Sequence, residues 1–147
     1  MRVEEVMTRW VKTVAPTDRL HEVSASMCLH RIPNLPVVED TDRLVGIIAE
    51  SDILRYLFPT LDTIISSGLD KIDFDAMEDD YQFLNKMKVA DLMNRNVHIV
   101  HPEMPVLKAT SVMVYHKLRR IPVVEDGRLK GVLSLGDVHK ALLRKAM

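Results

Sequence analysis

The feature that most constrains this chain is an internal repeat. Shifted by 86 positions, residues 7–40 align with residues 93–126, and both stretches end in the run Pro-Val-Val-Glu-Asp. One residue is then lost, and a shift of 85 positions aligns further identical residues: Gly46 with Gly131, and Asp52 with Asp137. Matches of proline, glycine and aspartate in register indicate a tandem duplication. We therefore expect two copies of one small unit.

Each copy has the same predicted order of elements, β-α-β-β-α, which gives a mixed α/β (α+β) fold. A short extended segment at residues 11–14 and 97–100 comes shortly before a proline, and proline suits the first turn of a helix. Apolar residues then recur at helical spacing, and two apolar runs follow that flank a turn, as in a β-hairpin. In the second copy the turn is Asp126-Gly127, where glycine accepts the positive φ that a tight turn requires. A second helix completes each copy.

The segment between the copies matches neither of them. We divide the chain into a first repeat at residues 1–57, a connector at 58–88 and a second repeat at 89–147. The connector begins near Pro59, which should stop the preceding helix, and its later part is acidic. We expect it to be partly helical and to pack at the edge of the repeats. A role as a lid or as a contact for another protein is the alternative.

Composition excludes several classes of function. A formal net charge of −1 argues against a general nucleic-acid binder, whose surface would be basic. The sequence has no apolar run of about 18 residues, so we expect no membrane span. The N-terminus carries acids where a signal peptide needs bases. The single Cys28 excludes an internal disulfide and fits a reducing cytoplasm, and its apolar-periodic neighbourhood predicts a buried structural thiol.

The stretch Gly-Val-Leu-Ser-Leu-Gly-Asp at residues 131–137 suggests a binding site. A strand there runs into a helix, whose first N–H groups lack intrahelical partners and favour anions. Ser134 could add a hydroxyl donor, and Asp137 could accept both hydroxyls of a ribose, as acidic residues do in dinucleotide-binding folds. Arg119 and Arg120 could bind phosphates with forked donors. The alternative is that Ser134 or Asp137 only caps the helix and that the arginines are solvated.

The combined pattern of Met, a proline after a strand, Pro-Val-Val-Glu-Asp, Leu-x-Gly and Ser-x-x-Asp resembles the CBS domain, the module named after cystathionine β-synthase. Two such copies resemble a CBS pair, or Bateman module. The resemblance implies two β-α-β-β-α repeats packed sheet to sheet with pseudo-twofold symmetry. It also implies two clefts that bind adenosine-containing ligands such as AMP, ADP, ATP or S-adenosylmethionine, with no cofactor required.

Carried over by position, the resemblance implies a ribose ligand in Asp137 and a phosphate-side hydroxyl in Ser134. It also implies that Arg119 and Arg120 contact the phosphate and that Met7, Arg9 and Val11 line the adenine. Val132 and Leu133 would form an apolar wall.

In the other cleft Asp52 matches the pattern, but its neighbours do not. Ala49 stands where a serine or threonine is expected, Glu50 adds a negative charge, and Pro33-Asn34 replace the two arginines. We therefore expect one nucleotide per chain, held at Asp137.

The sequence offers no catalytic motif and no metal-binding spacing, so we expect neither an enzyme nor a metal protein. His98 and His101 flank a strand at a spacing of three and should face opposite sides, which is poor for a shared metal. Our prediction is a stand-alone cytoplasmic energy or metabolite sensor that forms a homodimer and acts on an unidentified partner. The alternatives are a dimerisation module without ligand and an S-adenosylmethionine binder.

Overall fold

The computed structural model describes all 147 residues, Met1–Met147. Its helices are α1 (Val3–Val6), α2 (Leu20–His30), α3 (Glu50–Arg55), α4 (Leu61–Ser67), α5 (Phe74–Asp80), α6 (Val89–Leu92), α7 (Val106–Tyr115) and α8 (Leu135–Ala146). Its strands are β1 (Asn34–Glu39), β2 (Arg43–Ala49), β3 (Arg120–Glu125) and β4 (Arg128–Ser134), and two 3-10 helices lie at Leu69–Lys71 and Tyr81–Lys86. None of the helices is both long and apolar enough to cross a membrane.

The chain forms two compact units, and neither is a continuous half of the sequence. The first unit consists of residues 1–13, 38–45 and 96–147, and the second unit of residues 14–37 and 46–95. The first unit thus combines most of the second repeat with α1, while the second unit combines most of the first repeat with the connector and α6. In each unit, the short helix that begins one repeat is grouped with the elements of the other repeat.

In the first unit, β3 and β4 form an antiparallel hairpin. Alternate residues of a strand point to opposite faces, and one face of this hairpin carries Ile121, Val123 and Leu133, all fully buried. These side chains join α1, α7 and α8 in one apolar core: Val3, Met7, Val100, Val106, Ala109, Met113, Ile121, Val123, Leu133 and Val138. The other face of the hairpin carries the polar groups described below.

The four strands are ordered β1-β2-β4-β3. The link between β2 and β4 lies within the first unit, where Arg43 pairs with Arg128. There the Leu44 N–H also donates to the Gly127 carbonyl at 3.1 Å, and the Leu129 N–H donates to the Asp42 carbonyl at 2.8 Å. The turns of the two hairpins are therefore joined by backbone hydrogen bonds.

The predicted β-α-β-β-α order and the mixed α/β class are confirmed, but the first strand of each copy is shorter than expected. It is reduced to one parallel bridge, Val14 to Val37 in the second unit and Val100 to Val123 in the first. Val14 and Val100 are buried whereas their neighbours are partly or fully exposed. Two residues later a proline, which has no N–H, prevents a longer ladder.

The prediction of a buried thiol is wrong, because Cys28 is exposed. Helix α2 turns Leu20, Val23 and Met27 into the core of the second unit at a spacing of three and four residues. Cys28 follows Met27 directly, and the next residue of a helix lies about 100° around its axis. The apolar periodicity of this stretch therefore identified the helix, while the thiol lies outside its buried stripe.

Candidate functional site

The candidate site of the first unit is built on a close approach of two backbones. The Thr8 N–H donates to the Val132 carbonyl, and the Val132 N–H donates to the Thr8 carbonyl, both at 2.9 Å. Gly131 precedes this bridge, and a Cβ atom at that position would lie 2.5 Å from the Thr8 oxygen. Only a residue without a side chain allows this approach. The Leu-x-Gly motif of the sequence therefore fixes the segment after α1 against β4.

This attachment brings the Thr8 side chain to the start of α8. The Thr8 hydroxyl donates to Asp137 Oδ2 at 3.5 Å, and the Ser134 N–H donates to the same oxygen at 3.3 Å. In return, the Asp137 N–H donates to Ser134 Oγ at 3.0 Å, which completes a capping box. These contacts use Oδ2 of the carboxylate. Oδ1 remains for a ligand, in a group already oriented by two donors.

The anion site at the start of α8 is smaller than the sequence indicated. The Leu135 N–H donates to the Arg119 carbonyl at 2.9 Å, and the Asp137 N–H is bonded to Ser134 Oγ. Of the first three N–H groups of the helix, that of Gly136 is left for a ligand. The helix has 12 residues, so its dipole still favours a negative group at this end.

The two arginines are placed differently. Arg120 is the first residue of β3 and lies directly opposite Ser134 on β4. Opposite residues of an antiparallel pair project from the same face, so the half-buried Arg120 shares a face with the serine. Arg119 precedes the strand and is exposed, and its main-chain carbonyl is the group that contacts α8. Arg120 is therefore the arginine that the fold places beside the site.

Of the two residues expected to form an apolar wall, Val132 lies on the site face, although its side chain is only 4% exposed. It is two residues before Ser134 on β4, and strand alternation puts both side chains on one side. Leu133 projects to the opposite face and is fully buried in the core with Ile121 and Val138. The Leu133 side chain therefore supports the hairpin from behind and does not line the open face.

The segment expected to face adenine has mixed surroundings. Met7 is 8% exposed and belongs to the core, so only its main chain could reach a ligand. Arg9 is exposed, and its guanidinium donates to the Glu4 carbonyl at 3.1 Å. Val11 is half-buried. The structure thus places this segment beside Asp137 through Thr8, a residue that lies between Met7 and Arg9.

Thr8 was not predicted from the sequence, although a signal for it exists. It follows the repeated methionine, and the corresponding residue of the other copy is Asn94. A small polar residue thus follows Met7 and Met93 in both copies. Its function depends on a contact 129 positions away in the chain, to Asp137, which no local pattern could reveal.

The second unit repeats the backbone frame of this site. The Ile47 N–H donates to the Asn94 carbonyl at 2.9 Å, and the Asn94 N–H donates to the Ile47 carbonyl at 2.8 Å. A Cβ atom at Gly46 would lie 2.9 Å from the Asn94 oxygen, so the glycine has the same role as in the first unit. Asp52 likewise accepts from the backbone N–H three residues before it, that of Ala49, at 2.9 Å.

The side chains of the second unit differ from those of the first. Ala49 supplies no hydroxyl, and Asp52 Oδ1 lies 3.7 Å from a guanidinium nitrogen of Arg55. The Asp52 side chain is 16% exposed, but that of Arg55 is 76% exposed, so water screens the cation and the pair is weak. The oxygen of Asp52 that could take a ribose hydroxyl therefore already faces a cation of its own helix.

Comparison with known proteins gives one consistent family. The family model of the CBS domain matches residues 3–59 and 89–144. The chain is 31% identical to the uncharacterised protein MJ1426 of Methanocaldococcus jannaschii, over 97% of this chain and 92% of that protein. It is 29% identical, over 95% of its own length, to inosine-5'-monophosphate dehydrogenase of the same organism, but spans 23% of that enzyme.

Solved structures agree with this result. The CBS-pair protein CBSX2 of Arabidopsis thaliana superposes with a TM-score of 0.80 at 25% identity, over 99% of this chain and 96% of that one. A crystal structure of CBSX2 in complex with AMP superposes with a TM-score of 0.75 at 27% identity, over 99% of this chain and 98% of that one.

Proposed function

The chain belongs to the CBS-domain family, with two copies in tandem, and we propose that it is a regulatory module that binds an adenosine nucleotide, namely AMP, ADP or ATP. The observation that carries the proposal is the oriented carboxylate of Asp137, held by Thr8 and Ser134 within one compact unit. The complex of the similar protein CBSX2 with AMP supports the ligand class.

In the proposed complex, each group of the site has a chemical role. Asp137 accepts hydrogen bonds from the ribose hydroxyls, because an ionised carboxylate is an acceptor with several lone pairs. The Ser134 hydroxyl and the Gly136 N–H donate to the phosphate, and the dipole of α8 favours the same negative charge. Arg120, on the face of Ser134, supplies a forked cation for phosphate oxygens.

We propose that this module works by binding alone. The site contains groups that suit recognition, and the sequence offers no nucleophile with a base and no metal-binding motif to suggest catalysis. The dehydrogenase that it resembles is matched over only 23% of its length. The proposed output is therefore a ligand-dependent contact with a regulated protein, in a reducing compartment such as the cytoplasm.

Isothermal titration calorimetry tests the proposal. AMP, ADP, ATP and S-adenosylmethionine are titrated into the parent chain and into two matched variants, Asp137→Asn and Asp52→Asn. We expect one nucleotide per chain. Asp137→Asn should weaken binding at least about tenfold, since a hydrogen bond to a charged group contributes about 1.5–3 kcal/mol. Asp52→Asn should leave the Kd nearly unchanged.

Three results would contradict this proposal. Two equal sites per chain would mean that the second unit retains full affinity. A loss confined to Asp52→Asn would show that the nucleotide is held in the second unit. Binding of S-adenosylmethionine without any nucleotide would replace the ligand class.

A second proposed property is self-association, which a specific surface favours. On α7, Leu107 and Val114 are 58% and 64% exposed and lie seven residues apart, on one face of the helix. Tyr115 beside them is 82% exposed. An apolar helix face of this kind is typical of an interface, and we propose a homodimer formed through it. A module that only dimerises would show no rise in melting temperature with any adenosine ligand.

A further inference from the structure

The first part of the connector forms short helices that bury none of their side chains. Helices α4 and α5 have seven residues each, and neither contains a buried residue. The same holds for the 3-10 helix between them, at Leu69–Lys71. Helices of this length are marginal in water, and most helical stability in proteins comes from packing of an apolar face. These helices therefore have faces that this chain does not cover.

Large apolar side chains of the connector are left in water. Leu61 and Ile65 of α4 are 71% and 73% exposed, and they lie four residues apart on one face of the helix. Further large apolar residues of the connector are also exposed: Phe58, Leu69, Phe74, Tyr81 and Phe83. Single exposed apolar residues are normal, whereas a group of them in one segment is typical of a surface that binds another molecule.

Helix α5 also helps to form an apolar cavity at the protein surface. Phe74, Met77 and Glu78 line it, at the spacing of one helix face. Leu57 and Phe58, which follow α3, line the cavity as well. Its volume is about 160 Å³, and a cavity of about 150 Å³ holds a benzene ring. The cavity is therefore large enough for one large apolar side chain of a partner.

The charge of the same segment restricts the kind of partner. Residues 70–80 carry a net charge of −5, from six carboxylates and one lysine: Asp70, Asp73, Asp75, Glu78, Asp79, Asp80 and Lys71. None of these carboxylates forms an ion pair within the chain. Their negative charge repels the phosphates of nucleic acids and of anionic lipids. A surface that is both acidic and apolar therefore fits a protein segment that is both basic and apolar.

We propose that the connector binds a basic amphipathic helix of another protein. An apolar side chain of that helix enters the cavity beside α5, and its lysines and arginines pair with the carboxylates of residues 70–80. This inference goes beyond the proposed function, because the connector belongs to the second unit and the nucleotide site to the first. A second copy of this chain is the competing occupant, since α8 is amphipathic and has Arg144 and Lys145 in its last turn.

A labelled synthetic peptide of leucine and lysine tests the surface. It has about 18 residues, enough to form a helix, and its leucines recur at the helical period so that they share one face. Fluorescence anisotropy measures its binding to the parent chain, and a leucine–glutamate peptide of the same pattern is titrated in parallel. We expect the lysine peptide to bind with a Kd that rises with salt concentration. The glutamate peptide should not bind.

Two variants locate the contact on the connector. Phe74→Ala should weaken the lysine peptide at least about fivefold, as the loss of an apolar anchor does. The triple variant Asp75→Asn, Glu78→Gln and Asp79→Asn should weaken it roughly 3- to 100-fold, the combined effect of three surface ion pairs. Asp73 is kept in both variants, because it caps α5 by accepting a backbone hydrogen bond of 3.0 Å. Since α5 has no buried residue, both variants should keep the melting temperature of the parent.

Ile99→Ala is the matched control. Ile99 is 48% exposed, as Phe74 is 49%, but it belongs to the first unit, so this variant should bind the lysine peptide as the parent does. The inference is overturned if the glutamate peptide binds equally well, or if either connector variant keeps the Kd of the parent. It is also overturned if the triple variant converts a two-chain species to a monomer in sedimentation velocity, because a second copy would then cover the connector.

Calorimetry with AMP separates this inference from the proposed function. Both connector variants should bind AMP as the parent does, because the nucleotide site lies in the other unit. A parent chain that binds AMP but not the lysine peptide would overturn this inference alone. A parent chain that binds the lysine peptide but no nucleotide would overturn the proposed function alone.

Discussion

Replacing Gly131 by alanine should loosen the segment that carries Thr8. The added Cβ atom would lie 2.5 Å from the Thr8 carbonyl oxygen, closer than Cβ atoms approach other heavy atoms in proteins. It would also lie 3.1 Å from Met7 Sδ, and that flexible side chain can move aside. The carbonyl cannot move without its backbone. The overlap is therefore relieved only if residues 7–8 shift away from β4.

The magnitude follows from what that shift breaks. Two backbone hydrogen bonds link Thr8 and Val132, and each contributes about 0.5–1.5 kcal/mol to stability. If residues 7–8 do not shift and both bonds are kept, the added methyl group overpacks the region instead, and overpacking costs about 1–3 kcal/mol. We therefore expect Gly131→Ala to lower the free energy of unfolding by roughly 1–3 kcal/mol. The melting temperature of a chain of this size should fall by about 2–4 °C for each kcal/mol.

Two other glycines provide a graded comparison. A Cβ atom at Gly46 would lie 2.9 Å from the Asn94 oxygen, so Gly46→Ala should be destabilising but less so. At Gly136 the nearest atom is Ser134 Oγ at 3.7 Å, an ordinary contact, and alanine there should be neutral or slightly stabilising. Urea unfolding followed by circular dichroism measures all three variants. Tryptophan emission is unsuitable, because Trp10 is already exposed.

Hydrogen exchange identifies the mechanism. In Gly131→Ala the amides of Thr8 and Val132 should exchange faster, while the amides of α7 keep their protection. The same variant should weaken AMP binding, since Thr8 leaves Asp137. The reasoning is refuted if Gly131→Ala is as stable as Gly136→Ala, or if it loses stability while both amides keep their protection.

Three further predictions use the same site and surface. Ser134→Ala should lower the free energy of unfolding by about 0.5–2 kcal/mol in urea titrations, because α8 loses its side-chain cap. An unchanged value would contradict this and mean that the hydrogen bond from the backbone N–H of residue 134 to Asp137 is sufficient to cap the helix. Arg120→Ala should weaken AMP in calorimetry by on the order of 1.5–3 kcal/mol and Arg119→Ala by less, because only Arg120 shares the face of Ser134; the reverse order would contradict the assignment. Sedimentation velocity should show a two-chain species that Leu107→Glu converts to a monomer, and a parent chain that is monomeric at tens of micromolar would rule out the dimer (a standard-sized interface persists at about that concentration).

The hairpins were predictable because their signals are local. Each copy carries two apolar runs of β-branched residues around a polar turn, which is sufficient to define both strands. In the second copy the turn residues Asp126 and Gly127 have φ angles of 53° and 77°, as the dipeptide predicts. In the first copy Asp40 and Asp42 adopt positive φ angles of 52° and 58° without a glycine. Aspartate tolerates this region, so the hairpin survives there with a weaker signal.

The face of the sheet on which a single side chain lies was harder to predict from the sequence. Val132 and Leu133 are adjacent apolar residues, and nothing in the run distinguishes the one on the core face from the one on the face of Ser134. The register of β3 against β4 decides it, because Leu133 lies opposite Ile121 and Val132 opposite Pro122. A shift of one residue would exchange the two faces. Register depends on tertiary packing, whereas the alternating pattern alone leaves it open in a strand that is apolar at consecutive positions.

The two copies share the backbone hydrogen bonds of the site but differ in its side chains. The backbone bond from Leu135 N–H to the Arg119 carbonyl recurs as the bond from Glu50 N–H to the Pro33 carbonyl, at 2.9 and 3.0 Å. In both cases the residue that follows β2 or β4 is held by the residue that precedes the hairpin. These bonds use main-chain atoms, so arginine can be replaced by proline at the acceptor without loss.

The side-chain groups of the site, by contrast, change with the residue type. Ala49 carries a methyl group where Ser134 carries a hydroxyl, whereas Asp52 has the same carboxylate as Asp137 and accepts from a backbone N–H at the start of α3. A capping aspartate thus contributes to stability whether or not a ligand uses it. The aspartate alone therefore does not identify a binding site. The proposed site is identified by two further groups: the exposed Thr8 hydroxyl, which contacts the carboxylate of Asp137, and the half-buried Arg120, which lies opposite Ser134.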